Sequence, residues 1–154
     1  MLHIHFGTGR LGLGLVAPFF QSPGAELYLL NRATSGKNAT GSTAVDPARR
    51  NELLHNHSRN EYLVETPGTS TEPRERVHYN GFYSFSQDTI DSTIREILKR
   101  SHAKDQALIV TGSVLTVENY GPVVSALNAI CKVKLEGASA VSYTHLTLPT
   151  KRIV

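Results

Sequence analysis

The stretch HIHFGTGRLGLGL, residues 3–15, constrains this chain more than any other. Leu2–Phe6 alternates in polarity and stops at a glycine, as a β-strand does. Gly7, Gly9 and Gly12 follow at the spacing G-x-G-x-x-G. A helix is expected to open at Gly9 or Arg10 and to reach about Gln21. Pro18 predicts a kink or an early end, because proline removes a helical N–H and crowds the turn before it. Ser22-Pro23-Gly24 reads as a turn and residues 25–30, AELYLL, as a second strand. Strand, glycine turn, helix and strand in that order predict an α/β fold with a mostly parallel sheet.

The rest of the chain continues the alternation. Residues 31–45, NRATSGKNATGSTAV, are small and polar and read as a long loop, a length that tends to be functional or mobile. Asp46-Pro47 has the form of an N-cap followed by proline at the first helical position, opening a helix over residues 47–57. Residues 61–65 and 77–82 are strand candidates around a Thr/Pro/Glu/Arg-rich turn. Ser86 is expected to cap a helix over 87–101, in which Ile90, Ile94, Ile97 and Leu98 recur at helical spacing. Residues 107–110, ALIV, read as a buried parallel strand, uniformly apolar and ending at Thr111-Gly112-Ser113. Residues 114–120 and 123–130 read as helical, broken at Gly121-Pro122.

Composition narrows the function. The 154 residues are enough for one domain with a core, with hydrophobic content of 40% and charged content of 19%. No apolar run approaches the roughly 18 to 20 residues of a membrane span. The amino terminus lacks a basic segment ahead of an apolar one, so no signal peptide is read and a cytoplasmic location is expected. The formal charge is +3, but two of the 16 basic residues, Lys151 and Arg152, lie in an acid-free tail. Basicity is therefore no argument for nucleic acid. The single cysteine, Cys131, lies in an apolar stretch and is expected to be a buried, inert thiol. No Cys/His cluster has zinc spacing; His55 and His57, two apart, fall on different sides of a helix.

A G-x-G-x-x-G motif gains force from its setting: a strand before it, a helix after it, and a diagnostic residue about twenty positions on. In a dinucleotide site Gly7 would permit the tight turn, Gly9 would let the backbone approach the pyrophosphate, and Gly12 would let helix and sheet pack closely. Free N–H groups at the helix start would face the phosphates. The expected contact set at the turn is Gly7, Thr8, Gly9, Arg10, Leu11 and Gly12. After the second strand come Asn31 and Arg32, where an NAD site usually has Asp or Glu. Asn31 has no charge to repel a 2′-phosphate and Arg32 could pair with one. The cofactor is therefore read as NAD or NADP, with the balance towards NADP.

HFGTGRLGLGLVAPFFQ resembles the opening of the mannitol dehydrogenase family, the polyol-specific long-chain dehydrogenases, whose signature is roughly F-G-x-G-x-x-x-R-G-F. His5-Phe6-Gly7-Thr8-Gly9 and Gly12-x-Gly14 match it. Asn31 departs from the family's NAD-reading Asp, and Leu13 stands where Arg is common. Residues 49–65 and 107–127 resemble later segments of the same domain more weakly. The resemblance implies a Rossmann-type, doubly wound sheet and cofactor contacts at Thr111 and Gly112. It also implies hydride transfer between a nicotinamide and a secondary alcohol or ketone of a small polyol or sugar acid. A self-contained, non-catalytic dinucleotide-binding module is the alternative reading.

The family's catalytic lysine sits in a K-x-x-x-x-N-x-x-H pattern in a helical second domain, and nothing in this chain matches it. No tyrosine is followed by Lys at four residues, which counts against a short-chain reductase. No catalytic residue is therefore assigned. VSYTHLTLPTKRIV, residues 141–154, resembles translated sequencing-adaptor read-through. The expected organisation is an incomplete dinucleotide-binding domain over 1–140 and a non-native tail over 141–154, with a genuine short edge strand at 143–148 as the alternative.

Overall fold

A computed structural model describes residues 1–32, 47–56, 59–65, 75–86, 88–102, 106–113 and 120–135. In chain order the elements are β1 (Leu2–Phe6), a π-helical turn (Gly12–Val16) running into α1 (Ala17–Phe19), β2 (Glu26–Arg32), α2 (Pro47–Asn56), β3 (Glu61–Val64), β4 (Glu75–His78), β5 (Gly81–Phe85), α3 (Ile90–Arg100), β6 (Leu108–Gly112) and α4 (Tyr120–Leu135). β5, β2, β1 and β6 form a parallel sheet in that order. β3 and β4 pair antiparallel and apart from it. The architecture is α/β, as the sequence predicts.

The central strand is buried on both faces, so its alternation does not mark a wet side. Leu2, Ile4 and Phe6 face a core completed by Tyr28, Leu30 and Phe85 of the sheet, by α3 and by Ala126, Ala129 and Ile130 of α4. All four apolar positions read from the α3 periodicity are buried. Each fully buried isoleucine there contributes about 2 kcal/mol. The other face carries Leu27, Leu29 and Phe82, covered by Ala17, Leu54, Val77 and Tyr79. His3 and His5 lie on this second face, in register with Leu27 and Leu29.

The first helix ends at Phe19, one residue past Pro18 and short of the expected Gln21, and it widens ahead of the proline. The N–H of Ala17 donates to the carbonyl of Gly12, a step of five residues. In that register the carbonyl that Pro18 cannot serve belongs to Leu13. The hydroxyl of Tyr62, on β3, donates to it at 2.9 Å. Burial, with Glu75 nearby, pushes the Tyr62 phenol well above its ordinary pKa and keeps it a donor. Tyr62→Phe is expected to cost about 1–3 kcal/mol by orphaning that carbonyl. Urea midpoints would show it; an unchanged midpoint would mean that the π turn does not depend on the phenol.

Several boundaries move. β2 extends through Asn31 and Arg32, because these pair with Ser84 and Phe85 of β5. The strand expected over 77–82 is two strands. Asn80 breaks it, donating its N–H to the Leu27 carbonyl at 2.6 Å and accepting the Leu27 N–H on Oδ1 at 2.9 Å. Ser86 is not a side-chain cap: its carbonyl accepts the Ile90 N–H, and α3 begins after Thr89. β6 runs through Gly112 and is half-buried, since β1 is its only partner among the described strands. Gly121-Pro122 does not break α4 but lies in its first turn, where proline's missing N–H is unneeded. Cys131 is exposed, not buried, while Ala129 and Ile130 beside it face the core. The loop over 33–45, the Asp46 cap, the helix over 114–119 and the tail over 141–154 lie outside the described residues. Among those described, no helix is long and apolar enough to cross a membrane.

Candidate functional site

The chain places β2 and then β5 on one side of β1 and β6 on the other. The winding reverses between β1 and β6, and in open α/β sheets the crevice outside the carboxyl ends of strands at such a reversal is where ligands bind. The glycine turn leaves β1 at this point. Its first residue is bound to one neighbouring strand, Gly7 N–H donating to the Leu30 carbonyl at 2.8 Å. On the other side, the Ser113 N–H donates to the Phe6 carbonyl at 2.8 Å.

The three motif glycines meet three different surroundings. Gly7 has φ +99°, a conformation that side chains rarely adopt, and a Cβ there would lie 2.7 Å from Oγ and 2.9 Å from the carbonyl oxygen of Ser113. Gly12 is buried, and a Cβ on it would collide with Nε2 of His5 and, at 2.5 Å, with Oγ of Ser113. Gly9 faces open space, with no atom of the described residues within 4 Å of a Cβ built on it. The turn thus has an inner side pressed against the sheet and an outer side that a ligand can approach.

Beneath the inner side lies a polar string that the sequence pattern did not single out. The Thr111 hydroxyl joins His3 Nε2 and His5 Nδ1, each at 2.7 Å. With one proton to give, it donates to one ring and accepts from the other. Burial pushes both imidazoles down to about 4; for His5 the neighbouring His3 adds to this and the Gly7 backbone works against it. His5 Nε2 and Ser113 Oγ, both buried, have no hydrogen-bond partner among the described residues. The signal in the sequence was the position of two histidines inside a strand that proves to be central.

The second feature is an amide cluster. Asn31 Nδ2 donates to Oγ1 of Thr8 and to Oδ1 of Asn51, both at 2.7 Å. Thr8 and Asn51 are buried, and Asn51 Nδ2 reaches the Arg32 carbonyl at 3.5 Å. The cluster ties the glycine turn to the end of β2 and to α2. Asn51 was not among the expected residues; its only sequence signal is that it stands three residues before the buried Leu54.

Of the expected residues, Gly7, Thr8, Gly9 and Gly12 gather at the turn, with Asn31 beside them through Thr8. Arg10 and Leu11 are exposed at the helix start, and Arg32 is exposed at the end of β2. Thr111 directs its hydroxyl inward to the two histidines, and Gly112 is exposed at the end of β6. Among the described residues no group of three His, Cys, Asp or Glu side chains could hold a metal ion. Comparison with protein-family models, with curated proteins and with solved structures found no match.

Proposed function

We propose that this chain is the dinucleotide-binding half of an NAD(P)-dependent polyol or sugar-acid dehydrogenase, with a Rossmann-type sheet. The observation that carries the reading is the open outer side of Gly9, on a G-x-G-x-x-G turn at the reversal point of a parallel sheet. The residues present fit such a cofactor. Gly7 and Gly12 are glycines because the sheet lies against them, and Gly9 is free for a pyrophosphate to approach. The turn, from Gly7 to Gly12, would hold the phosphates. At the end of β2, Asn31 has committed both N–H donors inward, so a ribose hydroxyl would meet only its Oδ1. Arg32 would supply the charge for a 2′-phosphate.

A bound nicotinamide supplies the hydride chemistry, and the protein's part is to orient it. The lysine pattern of the family does not occur in these 154 residues, so the reading gives this chain binding without turnover. Fluorescence titration at neutral pH is the test. NADPH is expected to bind about tenfold more tightly than NADH, the scale of one charge-assisted contact, and Arg32→Ala to erase the difference. Tighter binding of NADH would remove the assignment of Arg32 alone. No binding of either at millimolar concentration would remove the dinucleotide reading.

A further inference from the structure

We propose that His5 is a positioning residue of the glycine turn: its buried ring backs the turn from inside the sheet and takes up a proton when a dinucleotide binds on the turn's outer side. This rests on the dinucleotide reading above and adds to it a residue and a proton.

The geometry is that of a ring held from one end. His5 is fully buried, and Nδ1 is anchored to Thr111 Oγ1 at 2.7 Å. Its other nitrogen lies against Gly12 and has no hydrogen-bond partner among the described residues. A buried polar atom left unpaired costs about 1–3 kcal/mol, and such atoms in folded proteins call for a reason. Ser113 Oγ is the second unpaired atom at the same spot, against both Gly7 and Gly12. Two unpaired polar atoms meet where the turn's inner side touches the sheet.

Burial first, and then the groups facing His5, keep the free ring neutral. His3, on the same strand, is of like type and disfavours a second charge. β6 presents Thr111, the residue after β6 is Ser113, the first helix presents Gly12, and β2 places Leu29 in register with His5. The Gly7 backbone, which would accept a hydrogen bond from the charged ring, is the one group that favours it. Among the described residues no carboxylate acts on it. A pyrophosphate on the outer side would bring negative charge across a single layer of backbone. Opposite charge at short range favours the protonated ring. By linkage, a ligand that raises the affinity for a proton binds more tightly where that proton is supplied.

The experiment follows the His5 Cε1–H resonance of the full chain from pH 7.5 to 3.5. It is run without ligand and with saturating NAD⁺ or NADP⁺, whichever binds more tightly. The expected result is a rise of about one unit or more in the His5 midpoint, with a smaller rise at His3. Affinity should be about two- to fourfold tighter at pH 5 than at pH 7.5. Calorimetry at pH 5 in two buffers of different ionisation enthalpy should show the uptake of about half a proton. His5→Gln should abolish that uptake, and Ser113→Ala should keep it. If His5→Gln does not fold, the wild-type resonance decides alone. Binding with an unmoved His5 midpoint overturns the role of His5 and leaves the dinucleotide reading standing. Absence of binding by either dinucleotide overturns both.

Discussion

Alanine at Gly12 is expected to lower the thermal midpoint by about 10 °C, corresponding to about 3 kcal/mol, whereas alanine at Gly9 should leave it within about 2 °C. The two positions are three residues apart in one motif and differ only in what lies beside them. At Gly12 a methyl group meets His5 Nε2 and Ser113 Oγ. Serine can rotate away, but His5 is anchored through Thr111 and has no space to retreat into. The carbonyl of Gly7, at 3.2 Å, closes the third side. At Gly9 no described residue stands within 4 Å. On the proposed dinucleotide reading, Gly9→Ala should nevertheless weaken binding at least tenfold, about 1.4 kcal/mol, because the methyl would occupy the space proposed for the phosphate. Thermal scans with a cofactor titration separate the effects. Equal midpoints for the two variants would show that the turn does not lie against His5. Unchanged binding by Gly9→Ala would move the ligand elsewhere.

Stability is expected to be level above about pH 6.5 and to fall steadily between pH 6.5 and 4. His3 and His5 are the cause. In the unfolded chain each ring takes a proton near its ordinary value of 6.5, while in the fold burial holds both down to about 4. The unfolded state therefore binds protons first as the pH drops, and each proton favours unfolding. Below about 4 the folded rings are protonated too and the loss is complete. For His5, buried to 0% exposure, it amounts to on the order of 3 kcal/mol. Ordinary carboxylates titrate near and below 4, so a decline that begins above pH 5.5 separates the histidines from acid unfolding in general. Guanidinium midpoints at pH 7.5, 6.5, 5.5 and 4.5 would show it. A flat profile down to pH 5 would mean that the two rings are solvated and the polar string is not formed.

Local chemistry was readable along the chain, as three elements show. Gly7 at positive φ, the helical spacing of Ile90, Ile94, Ile97 and Leu98, and the α/β alternation all depend on residues close in sequence. The sequence placed the turn and named which glycines a nucleotide site would need. It read a disturbance at Pro18 but not its form, because the remedy for the missing N–H comes from Tyr62, 49 positions from the carbonyl it serves. It joined β4 to β5, because Asn80 turns the chain only through its bonds to Leu27 in another strand. It buried Cys131, since an apolar stretch does not say which side of its helix faces the sheet.

The candidate site divides in the same way. The glycine spacing by itself determined that a strand would end in a tight turn followed by a helix, because φ and steric size are properties of single residues. Only the tertiary structure decided that β1 would be central, and with it that His3 and His5 would lose water on both sides. It also decided that Asn31 would spend its amide on Thr8 and Asn51, and that Thr111 would turn inward to two histidines. Burial and pairing depend on neighbours brought from 20 to 108 positions away, and a pattern read along the chain holds no record of those distances.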